Sequence, residues 1–157
     1  MRYCFLVIWV WLQVWISRYK GCALCLRCSD RKIRKHAELE IQYQYGVAEI
    51  DLIALPGIDG ILARSDLPAI TLIQNSATML ADKHSVKVIV MLAHLGCLGN
   101  PTDEEGHIAC LHLSGKAIQA CESYAPTVLW LVDADGKLIR EISRETTVTI
   151  EHVQLPT

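Results

Sequence analysis

Nothing in these 157 residues is built to cradle a phosphate. No G-x-G-x-x-G and no G-x-x-x-x-G-K follows any apolar stretch, and the loop Leu55-Pro56-Gly57-Ile58-Asp59-Gly60 is too poor in glycine to wrap an anion. This weighs against a nucleotide-binding or redox domain of flavodoxin-like outline. Net charge is also lacking, at −2 from 15 basic and 17 acidic residues, so no strong field gathers nucleic acid or an anionic membrane. No internal repeat or low-complexity tract is present. No apolar run reaches the roughly 20 residues that a membrane-spanning helix needs. The longest candidate, Tyr3–Ile16, falls short, is broken by Gln13, and is followed by no small-x-small cleavage site. Residues 1–20 are therefore read as an apolar N-terminal extension. It is a packed segment, a surface that touches a membrane through residues 3–16, or the product of a start codon placed too early.

A disulfide framework is absent as well. The seven cysteines are odd in number and clustered, which fits thiols kept free for metal or catalysis in a reducing compartment. With 52% hydrophobic and 20% charged residues, the chain has the composition of a globular protein, and the expectation is cytoplasmic. Residues 21–157 are long enough for one domain with a real core.

What is present is an alternation of strand and helix patterns. Cys22–Arg27 reads as a short buried strand. Asp30–Tyr45 carries Ile33, Ala37, Ile41 and Tyr45 at fourfold spacing and reads as an amphipathic helix ended by Gly46. Glu49–Leu55 is a second strand, followed by a loop through Gly57 and Gly60. Leu67–His84 is helical, with Ser65 or Asp66 available as its cap and Pro68 in its first turn. Val86–Ala93 is nearly all aliphatic, as expected of a strand covered on both faces. A helix from Asp103 to Ser123, capped by Thr102, precedes a strand at Thr127–Val132. The turn Asp133-Ala134-Asp135-Gly136 then leads into Lys137–Ile142. The tail after Ser143 alternates weakly, as a further edge strand would. The expectation is an α/β fold, a mainly parallel central sheet with helices on both faces.

Two short runs each close one of these strands. Cys28-Ser29-Asp30 follows the first, and His94-Leu95-Gly96-Cys97 follows the aliphatic one. Together they offer two thiolates, an imidazole and a carboxylate, a donor set suited to tetrahedral zinc. If the strands are parallel neighbours, both runs lie on the rim where open α/β sheets place their sites. The spacing Cys22-x-x-Cys25-x-x-Cys28 also suggests an iron–sulfur or zinc knuckle. Bacterial cluster runs, however, continue with cysteine and proline where this chain has Lys32 and Ile33. Strand alternation would put Cys22 and Cys28 on one face and Cys25 on the other. Core packing accounts better for Cys22 and Cys25, and also for Cys110 and Cys121 on the last helix. His36, His107 and His112 are expected on solvated helix faces, and His84 at a helix C-terminus. The basic cluster Arg31, Lys32, Arg34 and Lys35 is expected in solvent, with attraction of an anion to the nearby rim as the alternative.

Cys28-Ser29-Asp30-Arg31-Lys32 resembles the C-x-D-x-R motif of the β-class carbonic anhydrases, and His94-Leu95-Gly96-Cys97 resembles their H-x-x-C. The similarity extends over about Gly21 to Ile142, through Leu55-Pro56-Gly57, and the chain is similar in length to small, divergent relatives. The resemblance implies Zn2+ bound by Cys28, His94 and Cys97, with Asp30 as fourth ligand or as orienting acceptor. It implies reversible hydration of CO2 to bicarbonate by zinc-bound hydroxide, and a homodimer. Asp30, Arg31 and Lys32 would be the catalytic group, with an apolar lining from Ile53, Leu55, Leu95 and Leu98. Three departures bear on this. Lys32 stands where the motif has arginine and cannot form the bidentate fork that holds a carboxylate. Leu98 stands where the family usually has glycine, and the family's long N-terminal helical arm is missing. Hydrolysis of a related molecule such as carbonyl sulfide, or a non-catalytic zinc protein closed by Asp30, are the alternatives.

Overall fold

A computed structural model describes residues 21–64, 68–119 and 125–142. In chain order the elements are β1 (Cys22–Arg27), α1 (Arg31–Tyr45), β2 (Glu49–Ala54), α2 (Ile58–Ala63), α3 (Ala69–His84), β3 (Val86–His94), α4 (Glu104–Gln119), β4 (Thr127–Val132) and β5 (Leu138–Ile142). The strands form one sheet in the order β2-β1-β3-β4-β5. The first four run parallel, and β5 returns antiparallel to β4 through the Asp133–Gly136 turn.

Alternation along the strands feeds two cores. Leu24 and Leu26 of β1 and Ile89, Met91 and Ala93 of β3 face a large cluster completed by α2, α3 and α4, including Ile58, Leu62, Ile73, Leu111 and Ile118. Ala23 and Cys25, with Val88, Val90 and Leu92, face the other way onto Ile33, Ala37 and Ile41 of α1. Leu24, Leu26, Ile33 and Ile41 are completely buried, and each such aliphatic side chain contributes about 1.5–3 kcal/mol of transfer free energy. One helix thus covers one face and three cover the other. This is the expected α/β architecture.

The order also fixes where a site belongs. The chain leaves β1 for β2 on one flank, then crosses back to lay β3 on the other. The loops after β1 and β3 therefore diverge toward opposite faces, and a crevice opens between them at the carboxyl ends of the strands.

Four details differ from expectation. The loop after Gly57 contains a short helix, α2, whose six residues are too few for a periodic signal. The third helix starts at Ala69 with Pro68 at the cap position and no side-chain cap bond; Ser65 and Asp66 lie outside the described residues. Asp103, not Thr102, caps α4, since its Oδ1 accepts the Gly106 N–H at 2.8 Å. Cys28 lies beyond the end of β1, so strand alternation no longer governs it: it shares a core cluster with Cys25, not Cys22. The extension 1–20, Cys121 and the tail after Ser143 lie outside the described residues. Among the described residues, no helix is long and apolar enough to cross a membrane.

Candidate metal centre

The β1–β3 pairing carries the two motifs to one rim. β1 lies parallel to β3, with Leu26 opposite Met91, so Cys28 and His94 leave adjacent strand ends. The Sγ atoms of Cys28 and Cys97, 69 positions apart in the chain, stand 3.6 Å from each other. Two sulfurs each about 2.3 Å from one tetrahedral ion would be about 3.8 Å apart, so the observed spacing is already that of a shared cation. The ligand atoms of Cys28, His94 and Cys97 all lie within 4.8 Å of one another. All three residues are buried, with only 6%, 2% and 2% of their surface exposed.

The imidazole is oriented for the purpose. His94 Nδ1 lies 3.1 Å from the Leu95 carbonyl oxygen and, as the protonated nitrogen, donates to it. That leaves a lone pair on Nε2, the tautomer a metal-binding histidine uses when a carbonyl holds its other nitrogen. Nε2 is buried and has no hydrogen-bond partner among the described residues. A buried nitrogen left unmatched costs free energy, and a cation would remove that cost. Two sulfurs at ligand spacing and an unmatched imidazole nitrogen suit zinc better than any hard oxygen-seeking ion.

The turns that present these groups are pinned. Ser29 N–H donates to Leu55 O at 3.3 Å and Leu55 N–H to Arg27 O at 3.2 Å, which ties the end of β1 to the end of β2. Leu95 N–H donates to Val132 O at 3.0 Å, which ties the second motif to β4. Gly96 has φ +70, so the chain reverses between His94 and Cys97 in a conformation that a side chain would strain. Farther on, the backbones of Gly57 and Gly99 approach so closely that a Cβ on either would collide with the other.

Asp30 sits at the α1 N-cap, its Oδ1 accepting the Lys32 backbone N–H at 2.9 Å. It is half-buried and stands outside the three-residue group. Arg31 and Lys32 are exposed, as are Arg34 and Lys35. Leu98 is 96% exposed and stands in solvent, whereas Ile53, Leu55 and Leu95 pack against the large core. The remaining thiols behave as core groups. Burial pushes Cys25 up to about 12 and Cys22 to about 11, and it raises Cys110 too, so none of them supplies a thiolate near neutral pH.

A second polar cluster was not foreseen. Asp59 of α2 and His107 of α4 are buried, with His107 Nδ1 2.7 Å from Asp59 Oδ2. Asn100 Nδ2 donates to the same oxygen at 2.7 Å, and Ser114 Oγ to the Asp59 carbonyl at 2.7 Å. His107 is thus no solvated helix residue; its surface is wholly covered. The stretch Gly106–Gly115 contains no Asp, Glu, Lys or Arg, and that absence was the available signal of a buried helix. His36 is exposed as expected, its Nδ1 2.8 Å from the Asp135 carbonyl oxygen, while His112 is half-buried and burial lowers its pKa.

No curated protein matches the sequence significantly. Among solved structures, the chain is similar to the β-carbonic anhydrase CafA of the fungal pathogen Aspergillus fumigatus, at 15% identity and a TM-score of 0.46, over 91% of this chain and 85% of that one. A family model described as "Putative carbonic anhydrase" matches residues 19–140, a span that contains both metal motifs and every described strand but the last two residues of β5. The protein belongs to that carbonic anhydrase family.

Proposed function

We propose that this chain holds Zn2+ through Cys28 Sγ, His94 Nε2 and Cys97 Sγ and hydrates CO2 reversibly to bicarbonate. One observation carries the reading: the buried thiol pair at 3.6 Å with an unmatched imidazole nitrogen beside it, at the carboxyl ends of adjacent parallel strands. A zinc ion so held supplies a hydroxide nucleophile at neutral pH by acidifying water.

The protein's own groups do the rest. The Leu95 carbonyl keeps His94 in the ligating tautomer. Ile53, Leu55 and Leu95 give the rim an apolar flank, which suits a small substrate without charge or dipole. Asp30 keeps Oδ1 on its helix cap, and we assign its other oxygen as acceptor of the proton that orients the attacking water. Arg31 and Lys32, exposed at the start of α1, attract the bicarbonate anion. Two free thiols so close to each other need a reducing compartment, and we place the working protein in the cytoplasm, as a homodimer.

Metal content per chain, in wild type and Cys97→Ser, tests the ligand set. Stopped-flow CO2 hydration by zinc-loaded and metal-free protein then tests the activity, with carbonyl sulfide run alongside. Zinc loading without turnover on either substrate would leave a non-catalytic zinc protein with Asp30 closing the site.

A further inference from the structure

Arg27 is an unusual residue to find at the end of a buried strand. It is only 3% exposed, and its side chain points to the α1 side of the sheet, where it meets Glu38 with Nη2 at 3.6 Å from Oε1. Its Nη1 donates to the Cys28 carbonyl at 2.7 Å and reaches the Asp30 carbonyl at 3.4 Å. Its Nε is buried without a partner among the described residues. Burying a guanidinium on incomplete terms is costly, and an apolar side chain of similar volume would often serve the fold equally well. The two carbonyls it gathers belong to the turn that presents Cys28.

We propose that Arg27 is the positioning residue of the metal centre. From the strand behind, it holds the backbone of the turn and leaves the Asp30 carboxylate to its helix cap. Its Nη1 closes the Cys28–Asp30 turn while Nη2 anchors the guanidinium on Glu38, and this fixes the direction of Cys28 Sγ. Within that turn, Asp30 stays on the Lys32 N–H. A lysine at 27 carries the charge on a single nitrogen with no planar fork, so it cannot hold the turn with one nitrogen and Glu38 with another, as Nη1 and Nη2 do. The inference rests on the metal reading of Cys28, His94 and Cys97.

The test uses the metal-stripped full chain titrated with Co2+, read by thiolate-to-cobalt absorption and by competition affinity, with thermal unfolding of the metal-free protein as the fold control. Arg27→Met should weaken Co2+ binding about 10–100-fold, the usual loss when a group supporting a metal ligand is removed. It should also alter the absorption envelope. Arg27→Lys should fall between Arg27→Met and wild type. Arg34→Met, which removes the exposed partner of the same Glu38, should bind as wild type does. Arg27→Met or Arg27→Lys within twofold of wild type, with unchanged spectra, would overturn the proposal; if Arg27→Met does not fold, Arg27→Lys decides alone. Equal weakening by Arg34→Met would overturn it too, because general charge would then explain the effect. A wild type that takes up no Co2+ would instead refute the metal reading beneath it.

Discussion

The two rims of this sheet carry nearly the same residue types and have opposite characters. At the amino end, Cys22, Asp51 and His84 meet: Cys22 Sγ lies 3.3 Å and His84 Nδ1 2.6 Å from the same carboxylate oxygen of Asp51. At the carboxyl end stand Cys28, Cys97 and His94. In the first group the acid satisfies both neighbours, burial keeps the thiol protonated, and His84 lies in solvent. In the second, among the described residues, no acid intervenes, the sulfurs stand 3.6 Å apart, and one buried imidazole nitrogen has no hydrogen-bond partner. Among the described residues, only the second gathers three ligand atoms closely enough to hold an ion. Cysteine and histidine make a structural knot where a carboxylate answers them, and a group that could hold an ion where none does.

The hardest blow to that contrast is Cys97→Ser. Metal per chain, measured by elemental analysis, should fall from near one to near zero, whereas Cys22→Ser should leave it unchanged. Next in size is Asp59→Ala, in the buried knot that Asn100 ties to the loop after Cys97. Loss of one member of a buried Asp–His pair costs about 3–5 kcal/mol. Urea unfolding should register that loss, and Asp59→Asn should recover part of it by keeping a polar partner for His107.

The buried thiols give a smaller, pH-dependent effect. Folded Cys25 keeps its proton up to about 12, while an unfolded thiol ionises at the ordinary 9.0. Stability is therefore intact below pH 9 and falls as pH rises toward 12, at about 1.4 kcal/mol per unit for this thiol. Cys25→Ala should flatten the alkaline limb of a stability–pH curve. Smallest of all is His84→Ala. Its pair with Asp51 is half in solvent, so a change of about 0.5 kcal/mol or less in stability is expected, with no change in metal content.

Much of this was legible in the residues. β3 announced itself as a strand buried on both faces because Val86–Ala93 is an unbroken aliphatic run apart from Lys87, and α1 by its fourfold apolar spacing. Parallel pairing of two strands followed by a Cys and a His was enough to bring the ligands to one rim. What stayed hidden depended on contacts between distant segments. The periodicity of α1 shows Glu38 on its surface but not the Arg27 behind it. Asp59 looked like a loop residue because α2 is shorter than two turns, and its partners are 41 and 48 positions away. His107 reads as solvated because Asp103, Glu104 and Glu105 crowd the start of α4, whereas the uncharged stretch that follows them is the part that packs inward.

The crossover that lays β3 beside β1 also sets a timetable. Cys28 leaves the ribosome before Cys97, and the strands that lead to them, neighbours in space, are separated in the chain by β2. A cation held as proposed would have no complete seat until the long-range β1–β3 pairing is made, and its uptake would then reward that pairing, since ligands that bind only the native state deepen its free-energy well in proportion to the logarithm of their concentration. On the proposed zinc reading, metal supply during synthesis would help to determine how much mature protein a cell accumulates.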